Sequence, residues 1–137
     1  MPFVIKAAVP DVRARTFVFT AQKTMYGGKH IVPGDTVFVF ASENSGGQGL
    51  IARGRVLAAE AVARKRGVAR QTPRVNVTVR RDPRSPKRPL GRSALKPFTG
   101  WKDGRPETEL NFKFYRQATD KIAGISDAAA TFLEGFF

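Results

Sequence analysis

The chain has 137 residues, a length typical of one domain, and 42% of them are hydrophobic, which is enough apolar material to build a core. It contains no cysteine and a single histidine, which excludes disulfides and thiolate metal sites and leaves too few ligands for an ordinary zinc site. The 24 Lys and Arg residues exceed the 11 Asp and Glu residues, and the resulting net charge of +13 favours a polyanionic partner.

The amino-terminal stretch from Met1 to Val9 is a short apolar run with one lysine, and Pro10 and Asp11 follow it. It lacks the pattern and cleavage site of a signal peptide, so we interpret Phe3 to Val9 as a strand. No stretch approaches the roughly 20 apolar residues that a membrane span needs. We therefore expect a cytoplasmic protein with no membrane partner.

The next segments predict a hairpin. Phe17 to Thr20 favours a strand, and a Pro33-Gly34 turn precedes the run from Thr36 to Phe40, which is strongly typical of a strand. The Gly-, Ser- and Asn-rich stretch from Ser42 to Gly49 predicts a loop. Leu50 to Val56 then returns as the second strand of the hairpin.

The second half of the chain mixes strand and helix patterns. Leu57 to Val68 suits either a helix or a strand that continues from the hairpin. Arg74 to Arg80 alternates valines with polar residues, which predicts a half-buried strand with a basic outer face. Phe112 to Ile125 predicts a strand or a hairpin, whereas Ser126 and Asp127 have the capping pattern of a short terminal helix.

Four prolines, at positions 83, 86, 89 and 97, interrupt the stretch from Asp82 to Pro97. They exclude a regular helix or a central strand and predict a Pro- and Arg-rich surface excursion over residues 81–97. The order of elements predicts a mixed β-rich (α+β) barrel that forms one domain over residues 1–137.

The positive charge is concentrated in residues 64–96, which hold twelve basic side chains and one acidic side chain. Because arginine offers planar, bidentate donors to phosphate oxygens, this tract predicts contacts to a nucleic-acid backbone, with a solvated basic surface as the alternative. The predicted backbone contacts are Arg64, Arg66, Arg70, Arg74, Arg80, Arg81, Arg84 and Arg88.

An ordered set of motifs runs from Thr16 to Val56. A Gly34-Asp35 turn opens a hydrophobic strand that ends in Phe40, a spacer and Ser42, and a glycine-containing strand returns. This order resembles the PUA-like superfamily, nearest to its EVE branch. The resemblance implies a pseudo-barrel of about five to seven strands with one or two short helices, and binding of RNA or DNA with a modified or flipped base in an aromatic-lined pocket.

Aromatic and polar residues beside the basic tract are candidates for contacts to a base. Trp101 and Phe98 follow the tract, and an exposed aromatic face can stack on a base, which contributes about 1–3 kcal/mol. Ser42 is either a hydrogen-bonding group at a Gly-rich loop or an ordinary turn serine. The resemblance adds Thr20 and Gln117, which would otherwise be surface residues. The predicted base pocket consists of Thr20, Phe40, Ser42, Phe98, Trp101 and Gln117.

The chain offers few groups for catalysis. His30 has no evident nucleophile or acid as a partner, and Glu107 and Glu109, in a predicted loop, are expected to meet solvent or the nearby Arg105. We therefore predict a nucleic-acid-binding domain, not an enzyme, that uses no cofactor or metal. The alternatives are a protein-interaction domain that binds an acidic partner and a small hydrolase on a PUA-like fold.

Overall fold

The computed structural model describes all 137 residues, and its six strands form a closed mixed barrel. In chain order the strands are β1 (Phe3–Ala7), β2 (Thr16–Met25), β3 (Thr36–Ala41), β4 (Gly49–Ala61), β5 (Arg74–Arg81) and β6 (Lys121–Gly124). Around the barrel they follow the order β1-β3-β4-β5-β2-β6. The β1–β3 and β2–β6 pairs are parallel and the other pairs are antiparallel.

Three short α-helices accompany the barrel, α1 (Arg92–Leu95), α2 (Pro106–Asn111) and α3 (Asp127–Glu134). A π-helical stretch, Phe112–Arg116, continues α2. Single 3-10 turns occupy Gly28–His30 and Glu43–Ser45. None of the helices has the length and apolar character needed to cross a membrane.

Two hydrophobic clusters form the core, one inside the barrel and one outside it. Along β3, Val37 and Val39 belong to the first cluster, while Phe38 and Phe40 belong to the second. This alternation follows from the period of two of a strand. The second cluster joins β1, β3 and β6 to α2 and α3, so the helices cover one side of the barrel.

Strand β5 confirms the predicted alternation. Val75, Val77 and Val79 are buried inside the barrel, whereas Arg74 and Arg80 are exposed on its outer face. The predicted strands at the amino terminus and in the hairpin are also present, and β2 and β4 are longer than predicted. The first five residues of the stretch from Leu57 to Val68 therefore continue β4.

The prediction of a strand or hairpin from Phe112 to Ile125 is wrong in its first part. The helical stretch of α2 continues through Arg116, and only β6 in this region is a strand. Pro106 at the first turn favours a helix start, and Leu110 and Phe114, four residues apart, are both buried against the barrel. The strand was predicted because aromatic residues are enriched in strands, and the helical spacing of Leu110 and Phe114 was not considered.

The Pro/Arg-rich excursion contains one helical turn, α1, although the prolines predicted none. This turn fits because it begins after Pro89 and ends before Pro97, so no proline interrupts its hydrogen bonds. Leu90 and Leu95 are buried in the outer cluster. The excursion is thereby anchored, and the chain has three short helices where one or two were predicted.

Candidate nucleic-acid interface

A polar groove of about 570 Å³ lies where the middle of β2, the Glu43–Ser45 turn and the segment before β6 meet. Of the predicted base-pocket residues, only Thr20 lines it. The other lining residues are Ala21, Gln22, Lys23, Asn44, Arg74, Ala118, Thr119 and Asp120. Their hydroxyl, amide, carboxylate and cationic groups can hydrogen-bond both the edge of a base and a phosphate.

A β-bulge shapes the β2 wall of this groove. The pairing register of β2 with β5 shifts between Phe19 and Gln22, and Ala21 has a φ of +50°. Asn76 accepts a hydrogen bond from the Ala21 backbone N–H at 2.7 Å, and Arg74 donates one to the Ala21 carbonyl at 2.7 Å. Two side chains of β5 thus hold a strained residue, which is a feature typical of functional edges.

Two buried lysines hold the opposite wall. Lys6 donates to the carbonyl oxygens of Phe114 and Ala118 at 2.8 and 2.7 Å. Lys121 donates to the carbonyl oxygens of Lys113 and Gln117 at 2.5 and 2.6 Å. The two ammonium groups therefore satisfy the carbonyls at the end of the helical stretch and fix the segment that enters the groove.

Burial changes the acid–base properties of this lysine pair. Desolvation, followed by the nearby Lys6 charge, lowers the pKa of Lys121 to about 8, against a smaller opposing effect of Asp120. Desolvation also lowers the pKa of Lys6. Neither residue was predicted from the sequence. The one indication of a buried lysine was the position of Lys6 within the apolar run from Phe3 to Val9.

Phe40 and Ser42 do not lie in the groove. Phe40 is fully buried and stacks on Phe114 with ring centroids 6.2 Å apart, so it packs the outer cluster. Ser42 is 1% exposed, and its hydroxyl has no hydrogen-bond partner. The next residue, Glu43, accepts hydrogen bonds from the Tyr115 hydroxyl and the Arg92 backbone N–H.

The remaining predicted base-pocket residues form a separate surface beside α2. Trp101 is 40% exposed and meets Phe112 edge to face, with the Arg116 guanidinium 4.9 Å from the centre of the indole ring. Phe98 is half-buried below Arg105. Gln117 is exposed and connects the two surfaces, because it follows Arg116 and precedes Ala118 in the groove wall.

The predicted arginines lie in two groups at opposite ends of β5. Arg64, Arg70 and Arg74 line a cavity of about 480 Å³ at the β4–β5 loop, and Arg66 is exposed in that loop. The second group begins at the other end of the strand, and it comprises Arg80, Arg81, Arg84 and Arg88. Six residue steps of antiparallel strand separate the two ends by about 20 Å.

None of the eight predicted arginines has an acidic partner. The ion pairs of the structure join Arg53 to Asp82 and Glu134, and Lys113 to Glu109. Unpaired guanidinium groups at this density repel one another, and a polyanion would reduce the repulsion. The missing ion pairs are therefore a better indication of a binding surface than the sequence count alone.

The carboxylates are dispersed. Asp120 lines the groove, whereas Asp35 accepts a hydrogen bond from the Val32 backbone N–H in a turn before β3. No group of three His, Asp or Glu side chains is close enough to hold a metal ion. A hydrolase that uses two carboxylates would need a second one beside Asp120, and no other carboxylate lines the groove.

Comparison with known proteins gives likeness in structure without likeness in sequence. No family model matches the chain, and no curated protein matches it significantly. The DUF55 domain of human thymocyte nuclear protein 1 superposes with a TM-score of 0.65 at 12% identity, over 98% of this chain and 97% of that one.

Two further solved structures are similar. Human THYN1 protein in complex with 5-methylcytosine-containing DNA has a TM-score of 0.65 at 13% identity, over 98% of this chain and 95% of that one. A protein from Pseudomonas putida has a TM-score of 0.63 at 13% identity, over 99% of both chains. The chain therefore has the fold of these structures, a closed mixed β-barrel of six strands with three short helices that matches a PUA-like pseudo-barrel.

Proposed function

We propose that this chain is a nucleic-acid-binding domain, with the polar groove as its base site and the β4–β5 loop as its backbone site. The observation that carries the proposal is the position of Lys23 and Arg74, which line both the groove and the loop cavity. Arg64, Arg66 and Arg70 continue the cationic surface from there. A phosphate at Arg74 would place the attached base at the mouth of the groove.

The groove offers the donors and acceptors that recognise a base edge. Asn44 accepts a hydrogen bond from Arg92 through its side-chain oxygen, which leaves the amide NH₂ without a protein partner. Thr20 is exposed at the bulge, and Asp120 supplies an acceptor on the opposite wall. Because the THYN1 structure contains 5-methylcytosine DNA, cytosine and 5-methylcytosine are the first bases to compare.

The first prediction concerns the cations of the groove. Replacing Lys23 and Arg74 together with glutamine is expected to weaken binding of a single-stranded DNA oligonucleotide about tenfold at 50 mM salt, because two phosphate contacts are lost. The slope of log affinity against log salt should decrease by about two. Fluorescence anisotropy of labelled DNA and RNA measures both quantities.

Lys29 provides the matched control, because it is exposed and lies outside the groove and the arginine groups. Lys29→Gln should change the affinity less than twofold. If wild-type protein binds neither DNA nor RNA in a salt-dependent way, the proposal is wrong and the protein-interaction alternative gains support.

The second prediction separates the groove from the Trp101 surface. Thr20→Val removes a hydroxyl at nearly constant volume and is expected to reduce the preference between cytosine and 5-methylcytosine oligonucleotides. Trp101→Ala should leave that preference unchanged if the groove reads the base. The opposite pattern would move the base site to Trp101, where stacking contributes about 1–3 kcal/mol.

A further inference from the structure

The outer face of β2, β5 and the second half of β4 lies outside the cluster that the helices cover. Val18 on β2 and Leu57 on β4 are 72% and 50% exposed. Between them, the outward residues of β5 are Arg74, Asn76, Thr78 and Arg80. A polar track with a cation at each end thus runs along the strand.

A pair of like charges stands at each end of this track. Lys23 is the cross-strand partner of Arg74, and Arg55 is the cross-strand partner of Arg80. Like charges directly opposite each other destabilise a sheet. No carboxylate forms an ion pair with any of these four residues. Two such pairs on one strand lower the stability of the free protein, and anions bound between the like charges would reduce their repulsion.

The end of the track at Arg80 carries a second indication of an anion. A cleft of about 470 Å³ lies there, lined by Arg55, Arg80 and Arg81, and its two carboxylates, Asp82 and Glu134, are both paired with Arg53. The Arg81 guanidinium donates a hydrogen bond to the Ser85 hydroxyl at 3.0 Å. Arg55, Arg80 and Arg81 have no carboxylate partner, so their exposed guanidinium N–H groups can donate to phosphate oxygens.

We propose that Arg55, Arg80 and Arg81 form a second phosphate-binding site and that one nucleic-acid molecule contacts both ends of β5. This inference rests on the proposed function, because the Lys23–Arg74 end is the backbone site of the groove. The separation of about 20 Å corresponds to about six nucleotides at the duplex rise of 3.4 Å. The ligand is therefore a nucleic acid of about six nucleotides where the strand keeps this rise, and of fewer where it is more extended.

The test compares two DNA lengths in one variant. A four-nucleotide DNA that contains one 5-methylcytosine is too short to reach both ends, whereas a twelve-nucleotide DNA with the same four nucleotides in its middle reaches them. Arg55→Gln combined with Arg80→Gln should weaken binding of the longer DNA about tenfold and reduce its salt slope by about two. Binding of the short DNA should change less than twofold, and Lys29→Gln should affect neither DNA.

The outcomes distinguish this inference from the proposed function. Unchanged affinity and salt slope for the longer DNA would overturn the second site while leaving the groove in place. An equal loss for both lengths would also overturn it, because it would show no dependence on reach. Failure of wild-type protein to bind either DNA would overturn both proposals. The melting temperature of the variant should equal or exceed that of the wild type, because a repulsive pair has been removed.

Discussion

Replacing Phe114 with alanine is expected to lower the free energy of unfolding by about 3–5 kcal/mol, the range for a large aromatic removed from a packed core. Phe114 is fully buried and stacks on Phe40, and it joins the helical stretch after α2 to the barrel. Its neighbours belong to rigid strands and helices, so the site cannot collapse fully around the cavity. Urea denaturation followed by circular dichroism measures the loss.

Phe132 is the matched control for this substitution. It lies on α3, half-buried, and contacts Phe136 edge to face at 5.3 Å between ring centroids. Because solvent already reaches its ring, Phe132→Ala should cost less than half as much as Phe114→Ala. Equal losses for the two variants would show that the contact between helix and barrel is not a main source of stability.

The position of Phe114 also explains where sequence reasoning succeeded and failed. The valines of β5 alternate with polar residues, and a period of two has one structural interpretation, so that strand was predicted correctly. The stretch around Phe114 is rich in aromatic residues, which favour strands by composition. Its burial pattern is helical, since Leu110 and Phe114, four residues apart, are both buried in the outer cluster with Phe40. Tertiary packing determines that this stretch is helical, and amino-acid composition alone does not predict it.

The candidate site was predictable in its chemistry but not in its arrangement. The excess of arginine is a property of sequence, whereas its division into two groups follows from the extended geometry of β5. Phe40 was assigned to the pocket through the resemblance, and Trp101 because an exposed aromatic beside the basic tract can stack on a base. The barrel places the first in the core and the second beside α2. Only the three-dimensional structure shows that Thr20 and Asp120 line the same groove.

The buried lysine pair is the feature least accessible to sequence reasoning. Lys6 and Lys121 occupy strand positions that composition alone would give to apolar residues, and both are fully buried. Their ammonium groups lie near each other and are opposed by few carboxylates, of which Asp120 is the nearest contributor to both. Four backbone carbonyls serve as acceptors in place of an acidic partner. The segment that forms one wall of the groove depends on these bonds.

This arrangement predicts that the folded protein becomes more stable as the pH is raised from 7 to 9.5. The pKa of Lys121 is about 8 in the folded state, whereas the ordinary lysine pKa of 10.5 applies to the unfolded chain. Between these values the unfolded chain binds more protons, so stability increases with pH. At 1.36 kcal/mol for each pKa unit, the increase at pH 9.5 is about 2 kcal/mol. The lowered pKa of Lys6 acts in the same direction.

Chemical denaturation at pH 7, 8, 9 and 9.5 tests this dependence, and the upper limit avoids a competing group. Burial raises the pKa of Tyr115, with Glu43 adding to the effect, so ionisation of this phenol opposes folding at higher pH. Lys121→Met should lose more than half of the increase, whereas the exposed control Lys29→Met should retain it. A flat profile for the wild type, or the same increase in Lys121→Met, would show that the ammonium of Lys121 is not destabilised by burial.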